Sequence, residues 1–154
     1  MPPNPDKIVI SDTACLIGLA NIGQIDILRK MYGAVVVTPE VVREYGGQLP
    51  EWVSVQAAPD AAKTAMLNKF LGIGEASAIA LAMQTAGAIL IVDDKRARQF
   101  AHGLGLDITG TLGLLIRAYK NGIIQDIDSI VADLRKVGFR LPANAEAMIK
   151  TVKR

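Results

Sequence analysis

The sequence predicts an α/β fold, a three-layer α/β/α arrangement around a central parallel sheet of four to five short strands. Three observations carry this. Short runs of β-branched and aliphatic residues alternate along the chain with segments of helical spacing. Ala88-Ile89-Leu90-Ile91-Val92 is a continuous apolar run, the signature of a central parallel strand covered on both faces. Helix signals then separate the runs, so the strands must be joined by right-handed crossovers with helices on both faces.

The elements follow in order. Lys7 to Ile10 is the first strand, and Ser11-Asp12-Thr13 leads into an apolar helix, Ala14 to Ala20, broken by Asn21-Ile22-Gly23. Ile25, Leu28 and Met31 at helical spacing give a second helix ending near Gly33. Ala34 to Val37 is the second strand. Thr38-Pro39-Glu40 then starts a helix, with Thr as N-cap, Pro in the first turn and an acid beside them, and Gly46-Gly47 stops it after Tyr45. Trp52 to Val55 is a short strand or an extended edge. Ala61 to Leu71 reads as a helix ended by Gly72-Ile73-Gly74, and Glu75 to Ala86 as a helix apolar on nearly all sides, hence buried. After the strand Ala88 to Val92 come a helix from Lys95 to Gly103, a short strand at Asp107 to Thr109, and helices at Gly110 to Asn121, Ser129 to Val137 and Ala143 to Val152.

With 154 residues the chain suits one domain spanning 1–154, with a frayed Pro-rich start at 1–6 and C-terminal helices in 123–154. Hydrophobic residues make up 51% and aromatics only 5%, so the core is aliphatic, and 21% charge argues against disorder. Apolar stretches such as Ala86 to Val92 fall far below the ~18–20 residues of a membrane span, and the first apolar run is too short for a signal peptide. One cysteine, Cys15, forms no internal disulfide, which favours a reducing cytoplasm; as a small buried hydrophobe it is no nucleophile. The net charge is +2. If five of the 15 acids gather in one site, ten remain against 17 bases, a basic body around an acidic pit that suits a polyanion.

Sites in open parallel sheets form beyond the carboxyl ends of strands. Asp12 lies two residues past Ile10, and Asp93 and Asp94 follow Val92 directly. Glu44 shares a helix face with Val41 and Tyr45, which turns it inward. Glu75 is the only charge between Lys69 and Asp93. Each acid has a local alternative. Asp12 and Asp93-Asp94 suit N-caps, Glu75 complements a helix dipole, and Glu44 suits a solvated helix end. Together, however, four segments bring acids to one place, and clustered carboxylates need something positive between them. An Arg or Lys could serve; a hard divalent cation does so with oxygen ligands alone.

Other chemistries lack their parts. There is one histidine, His102, in a helix where a structural role fits, and no P-loop. Gly72-Ile73-Gly74-Glu75 imitates part of a dinucleotide fingerprint but places a carboxylate where a pyrophosphate would sit. Haloacid-type phosphatases need an Asp where Ala14 stands.

The ordered motifs resemble those of the PIN-domain ribonucleases, and among them the small prokaryotic VapC-type toxins. Ile8-Val9-Ile10-Ser11-Asp12-Thr13 resembles their opening strand, Thr38 to Glu44 their second acidic motif, Gly74 to Ala82 the third and Leu90 to Lys95 the fourth. Thr109-Gly110-Thr111-Leu112-Gly113 is similar to a motif of one subgroup. The resemblance runs from about residue 7 to residue 120. The sequence departs from it at Glu75, where many relatives carry Asp, and at the doublet Asp93-Asp94, of which either could be the ligand.

The resemblance implies a Mg²⁺- or Mn²⁺-dependent endoribonuclease. Asp12 and Asp93 would be primary ligands, and Glu44 and Glu75, with Asp94, ligands or holders of metal-bound water. Thr13 and Thr111 would orient water, unless they only cap helices. Lys95, Arg96 and Arg98, just after the acidic doublet, would contact RNA, unless they are simply an exposed helix face. The only Tyr and Trp residues are Tyr32, Tyr45, Trp52 and Tyr119, which limits base stacking. A small antitoxin and a homodimer are implied as partners, and no membrane. A non-catalytic PIN-type RNA- or protein-binding module, or another metal-dependent phosphohydrolase on the same fold, are the competing readings.

Overall fold

The structure, a computed structural model, describes residues 7–153. The expected frayed segment 1–6 lies outside the described residues. Five three-residue strands form one all-parallel sheet: β1 (Val9–Ser11), β2 (Val35–Val37), β3 (Val53–Val55), β4 (Ile89–Ile91) and β5 (Asp107–Thr109), in the order β3-β2-β1-β4-β5. Ile10 pairs with Val36 on one side and Leu90 on the other. The chain therefore builds outward from β1 to β3, then returns to lay β4 on the other side of β1. That reversal puts a switch point between β1 and β4, the place where parallel sheets open a crevice at their carboxyl ends.

Strand side chains alternate faces, so each central strand feeds two cores. Val9, Val35, Val37 and Ile91 face one core with α1 (Thr13–Asn21), α2 (Asp26–Tyr32), α7 (Thr111–Lys120), α8 (Ile127–Lys136) and α9 (Ala145–Val152). Ile10, Leu90 and Val92 face the other with α4 (Ala61–Leu67), α5 (Ile73–Met83) and α6 (Lys95–Gly103). This is the expected three-layer arrangement. The C-terminal helices share the first core. Gly18 of α1 presents bare backbone to Phe139, whose ring would lie 2.6 Å from a Cβ there, so the segment after α8 is packed onto α1. No helix among the described residues is long and apolar enough to cross a membrane.

α3 (Pro39–Tyr45) starts as expected, with the Thr38 hydroxyl accepting from Val41 N–H, and ends at Gly46 in the left-handed region, φ 74°. The main difference lies between α4 and α5. α4 stops at Leu67, four residues before the expected end, and Gly72-Ile73-Gly74 begins α5 rather than ending α4. The Gly72 carbonyl already accepts from Ala76 N–H at 2.9 Å. The two glycines are there for close approach, not for breaking a helix. The Glu75 carboxylate would stand 2.8 Å from a Cβ on Gly72, and Glu44 Oε1 lies where a Cβ on Gly74 would be. α5 also ends earlier than expected, at Met83.

Candidate active site

The switch point carries two aspartates tied to each other through the backbone. Asp12 follows β1, and its N–H donates to Ile91 O at 2.9 Å, extending the ladder by one residue. Its Oδ1 accepts from Cys15 N–H at 3.0 Å, which caps α1, and its Oδ2 accepts from Asp93 N–H at 2.9 Å. Capping and a place in the acidic site are thus combined in one side chain that is 1% exposed. Burial raises its pKa, the neighbouring Asp93 charge raises it further, and the two N–H donors oppose them.

Asp93 ends β4 and is held by one residue at both oxygens. Oδ1 accepts from Thr111 N–H at 2.8 Å, and Oδ2 from the Thr111 hydroxyl at 2.6 Å. Burial raises its pKa as well, while the Thr111 donors and the Arg98 guanidinium pull the other way. Arg98 Nη1 donates to Val92 O at 3.1 Å. A Cβ on Gly110 would lie 2.6 Å from that nitrogen and 3.1 Å from Asp93 Oδ1. Gly110 is therefore bare so that Arg98 and Asp93 can meet over it.

The remaining acids form a rim. Glu75, half-buried in the first turn of α5, has its pKa raised to about 7 by burial and by the charges of Asp94 and Glu44. Glu44 is exposed, which corrects the burial expected from the helix face it shares with buried Val41 and half-buried Tyr45. Its Oε1 reaches the site by accepting from the Thr13 hydroxyl at 2.6 Å and filling the space over Gly74. Asp94 is exposed and N-caps α6, accepting from Ala97 N–H at 3.0 Å. Thr13 and Thr111, expected to orient water or cap helices, donate their hydroxyl protons to Glu44 and Asp93. Lys95 and Arg96 are exposed, whereas Arg98 is half-buried beside Asp93. His102 is exposed in the last turn of α6, not built into the structure as expected. Cys15 is fully buried and its thiol is pushed up by burial, so it stays protonated and inert.

These positions separate two groups that the sequence pattern treats as one. Asp12 and Asp93 are joined directly; Glu75 feels the charges of Glu44 and Asp94, and its own charge reaches Asp12. Among the described residues, no three His, Cys, Asp or Glu side chains meet closely enough to ligate one ion together. The donor chemistry still fits a hydrated hard cation. Mg²⁺ is commonly held by one or two carboxylates and keeps several of its waters. A buried and a half-buried carboxylate with raised proton affinity, offset by a single guanidinium, are an incompletely neutralised pair that such an ion would complete. Sequence reasoning missed Gly72, Gly74 and Gly110. Their only local signal was that each stands beside a helix start, which a breaker explains equally well.

A family model described as a PIN domain matches residues 8–153, through the C-terminal helices and beyond the motifs legible by eye. No significant match to a curated protein was found, and none to a solved structure.

Proposed function

From the premise that this chain belongs to the PIN-domain family, a family of nucleases, we propose that it is a metal-dependent endoribonuclease hydrolysing RNA phosphodiesters. The observation that carries the reading is the Asp12–Asp93 pair at the switch point, the first buried and the second half-buried, backbone-linked and short of positive charge. Mg²⁺ or Mn²⁺ would be held by Asp12 and Asp93, with Glu44, Glu75 and Asp94 reaching it through water, and would supply an acidified water and charge stabilisation for phosphoryl transfer.

The chain's own residues prepare that chemistry. Two N–H donors hold both Asp12 oxygens in place, and Thr111 does the same for Asp93, so neither carboxylate has to reorganise. Glu75, with a pKa of about 7, is matched to accept a proton near neutral pH at its carboxylate. Arg98 lies where it can meet a phosphate next to Asp93, and exposed Lys95 and Arg96 extend the positive charge outward. Thr13 holds Glu44 on the opposite rim.

The VapC-type resemblance extends the reading to a toxin paired with a small antitoxin and forming a homodimer in the cytoplasm. One observation favours a second reading, a PIN-type RNA- or protein-binding module with little or no catalysis: no three acids form a direct ligand set among the described residues. The test is cleavage of mixed single-stranded and structured RNA with Mg²⁺, with Mn²⁺ and with EDTA, beside Asp93→Asn. Metal-dependent cleavage lost in the variant supports the nuclease. RNA binding without cleavage under any condition supports the module.

A further inference from the structure

We propose that Phe70 is a stacking platform for an unpaired base of the RNA whose phosphate occupies the carboxylate pit, an assignment that rests on the ribonuclease reading. Phe70 sits in the junction between α4 and α5 and is 51% exposed. An exposed large aromatic is costly unless something covers it, but this one is not loose. Its ring stacks on Phe100 of α6, centroids 5.7 Å apart at an interplanar angle of 28°. Phe100 is in turn half-buried against the second core. One face of Phe70 is therefore fixed, and its exposure is that of a rigid flat surface. Aromatic platforms of this kind take up bases without regard to sequence, since every base has a π-face.

The platform's position links it to the pit from two directions. Gly72, two residues after Phe70 and so within ~7 Å of it along the chain, lies against the Glu75 carboxylate. Along α6, Arg96 and Phe100 are four residues apart and share a face, with Arg96 in the turn that Asp94 caps. Along α6 the chain runs from the Asp94 cap through Arg96 to Phe100, which carries the stack with Phe70. Lys69, Lys95 and Arg96 are exposed, and none of them is in an ion pair among the described residues. Free cations on the segments that join an acidic metal-type site to an aromatic face match a backbone phosphate flanked by a base. They do not match a purely apolar partner, although Met66 and Leu104, each four residues from a member of the stack, are exposed. The aromatic supply is thus larger than the Tyr and Trp count suggests, because it lies in phenylalanines.

The test is fluorescence anisotropy with fluorescein-labelled single-stranded oligoadenylate in Ca²⁺, a hard cation that oxygen ligands hold, on wild type, Phe70→Ala and Phe70→Trp, with sedimentation of each and RNA cleavage in Mn²⁺ measured separately. Phe70→Ala is expected to weaken binding about 5- to 150-fold with an unchanged salt slope, because no charge is removed. Phe70→Trp is expected to bind at least as tightly as wild type and to lose indole emission on adding RNA, beyond any change from Trp52 in the wild type. A wild type that cleaves RNA yet binds no tighter than Phe70→Ala overturns the platform and leaves the nuclease intact. A Phe70→Ala variant that keeps its RNA affinity but falls to a smaller sedimenting species overturns it in favour of a contact between copies of the chain. A wild type that neither binds nor cleaves overturns both.

Discussion

The inner and outer carboxylates of this site are held in place by different means. Asp12 and Asp93 are fixed by backbone N–H groups and by Thr111, that is, by the sheet and the helix starts themselves. Glu44, Glu75 and Asp94 sit on the rim, placed by the Thr13 hydroxyl, by a helix cap and by the bare backbone of Gly72 and Gly74. The inner pair cannot move without disturbing the fold. The rim can, and it is where small changes in sequence would retune the site.

The largest expected difference is in activity. Asp93→Asn should lower metal-dependent RNA cleavage by more than roughly 100-fold, while Thr111→Val, which leaves the acid but frees one oxygen, should cost roughly 10–100-fold. Equal, small losses in single-turnover assays would place the chemistry elsewhere.

Next is stability without metal, where the two inner acids should part. Asp93→Asn removes a half-buried charge beside that of Asp12, and the Thr111 hydroxyl can turn to accept from the new amide. A gain of about 1 kcal/mol, roughly 2–4 °C in melting temperature, is expected near pH 8. Asp12→Asn removes a charge too, but both Asp12 oxygens accept from N–H groups, and an amide NH₂ would face one of them. The clash and the unsatisfied donor cost about 1–3 kcal/mol, so Asp12→Asn should gain nothing or lose stability. Matching melting temperatures in EDTA would contradict these hydrogen bonds.

The same raised pKa values set a pH dependence. A carboxyl that binds its proton more tightly when folded favours folding below its unfolded pKa, and the benefit is lost as pH rises through the folded value. For Glu75 the window runs from 4.5 to about 7, and for Asp12 it opens at 3.8 and extends upward. The metal-free protein should therefore melt lower at pH 8 than at pH 5, and Mn²⁺ should restore much of the difference. A melting temperature that rises from pH 5 to pH 8 in EDTA would argue against an unneutralised cluster.

The smallest structural effect is expected on the rim. In Gly74→Ala the new methyl takes the place of Glu44 Oε1, the far end of a flexible side chain that can swing away. Melting temperature should change little, while cleavage falls by less than in Asp93→Asn. A large loss of stability would mean that Glu44 is locked in place.

The inner site was legible in the sequence because strand ends are legible. Asp12 and Asp93 follow apolar runs that no other element explains, and parallel topology brings such positions together. The three-layer sheet was legible for the same reason. The rim was not, because its determinants are contacts between distant segments. Glu44 meets Gly74 across 30 residues of chain, and local periodicity says nothing of that. Gly72-Ile73-Gly74 looks like a helix end because glycine usually breaks helices; here the carboxylates lying against it matter more, and α5 starts through it. The helix face of Glu44 says nothing of how exposed its long side chain stays while its tip accepts from the Thr13 hydroxyl. Phe70 escaped notice because its exposure depends on the length of α4, which was overestimated.

The most direct test of the central claim is Mn²⁺ binding by calorimetry to wild type, Asp93→Asn and Glu75→Gln at pH 8. If Asp12 and Asp93 hold the ion and the rim acts through water, Asp93→Asn abolishes measurable binding while Glu75→Gln weakens it only modestly. Binding that survives Asp93→Asn and vanishes in Glu75→Gln would contradict the account and move the metal to the rim.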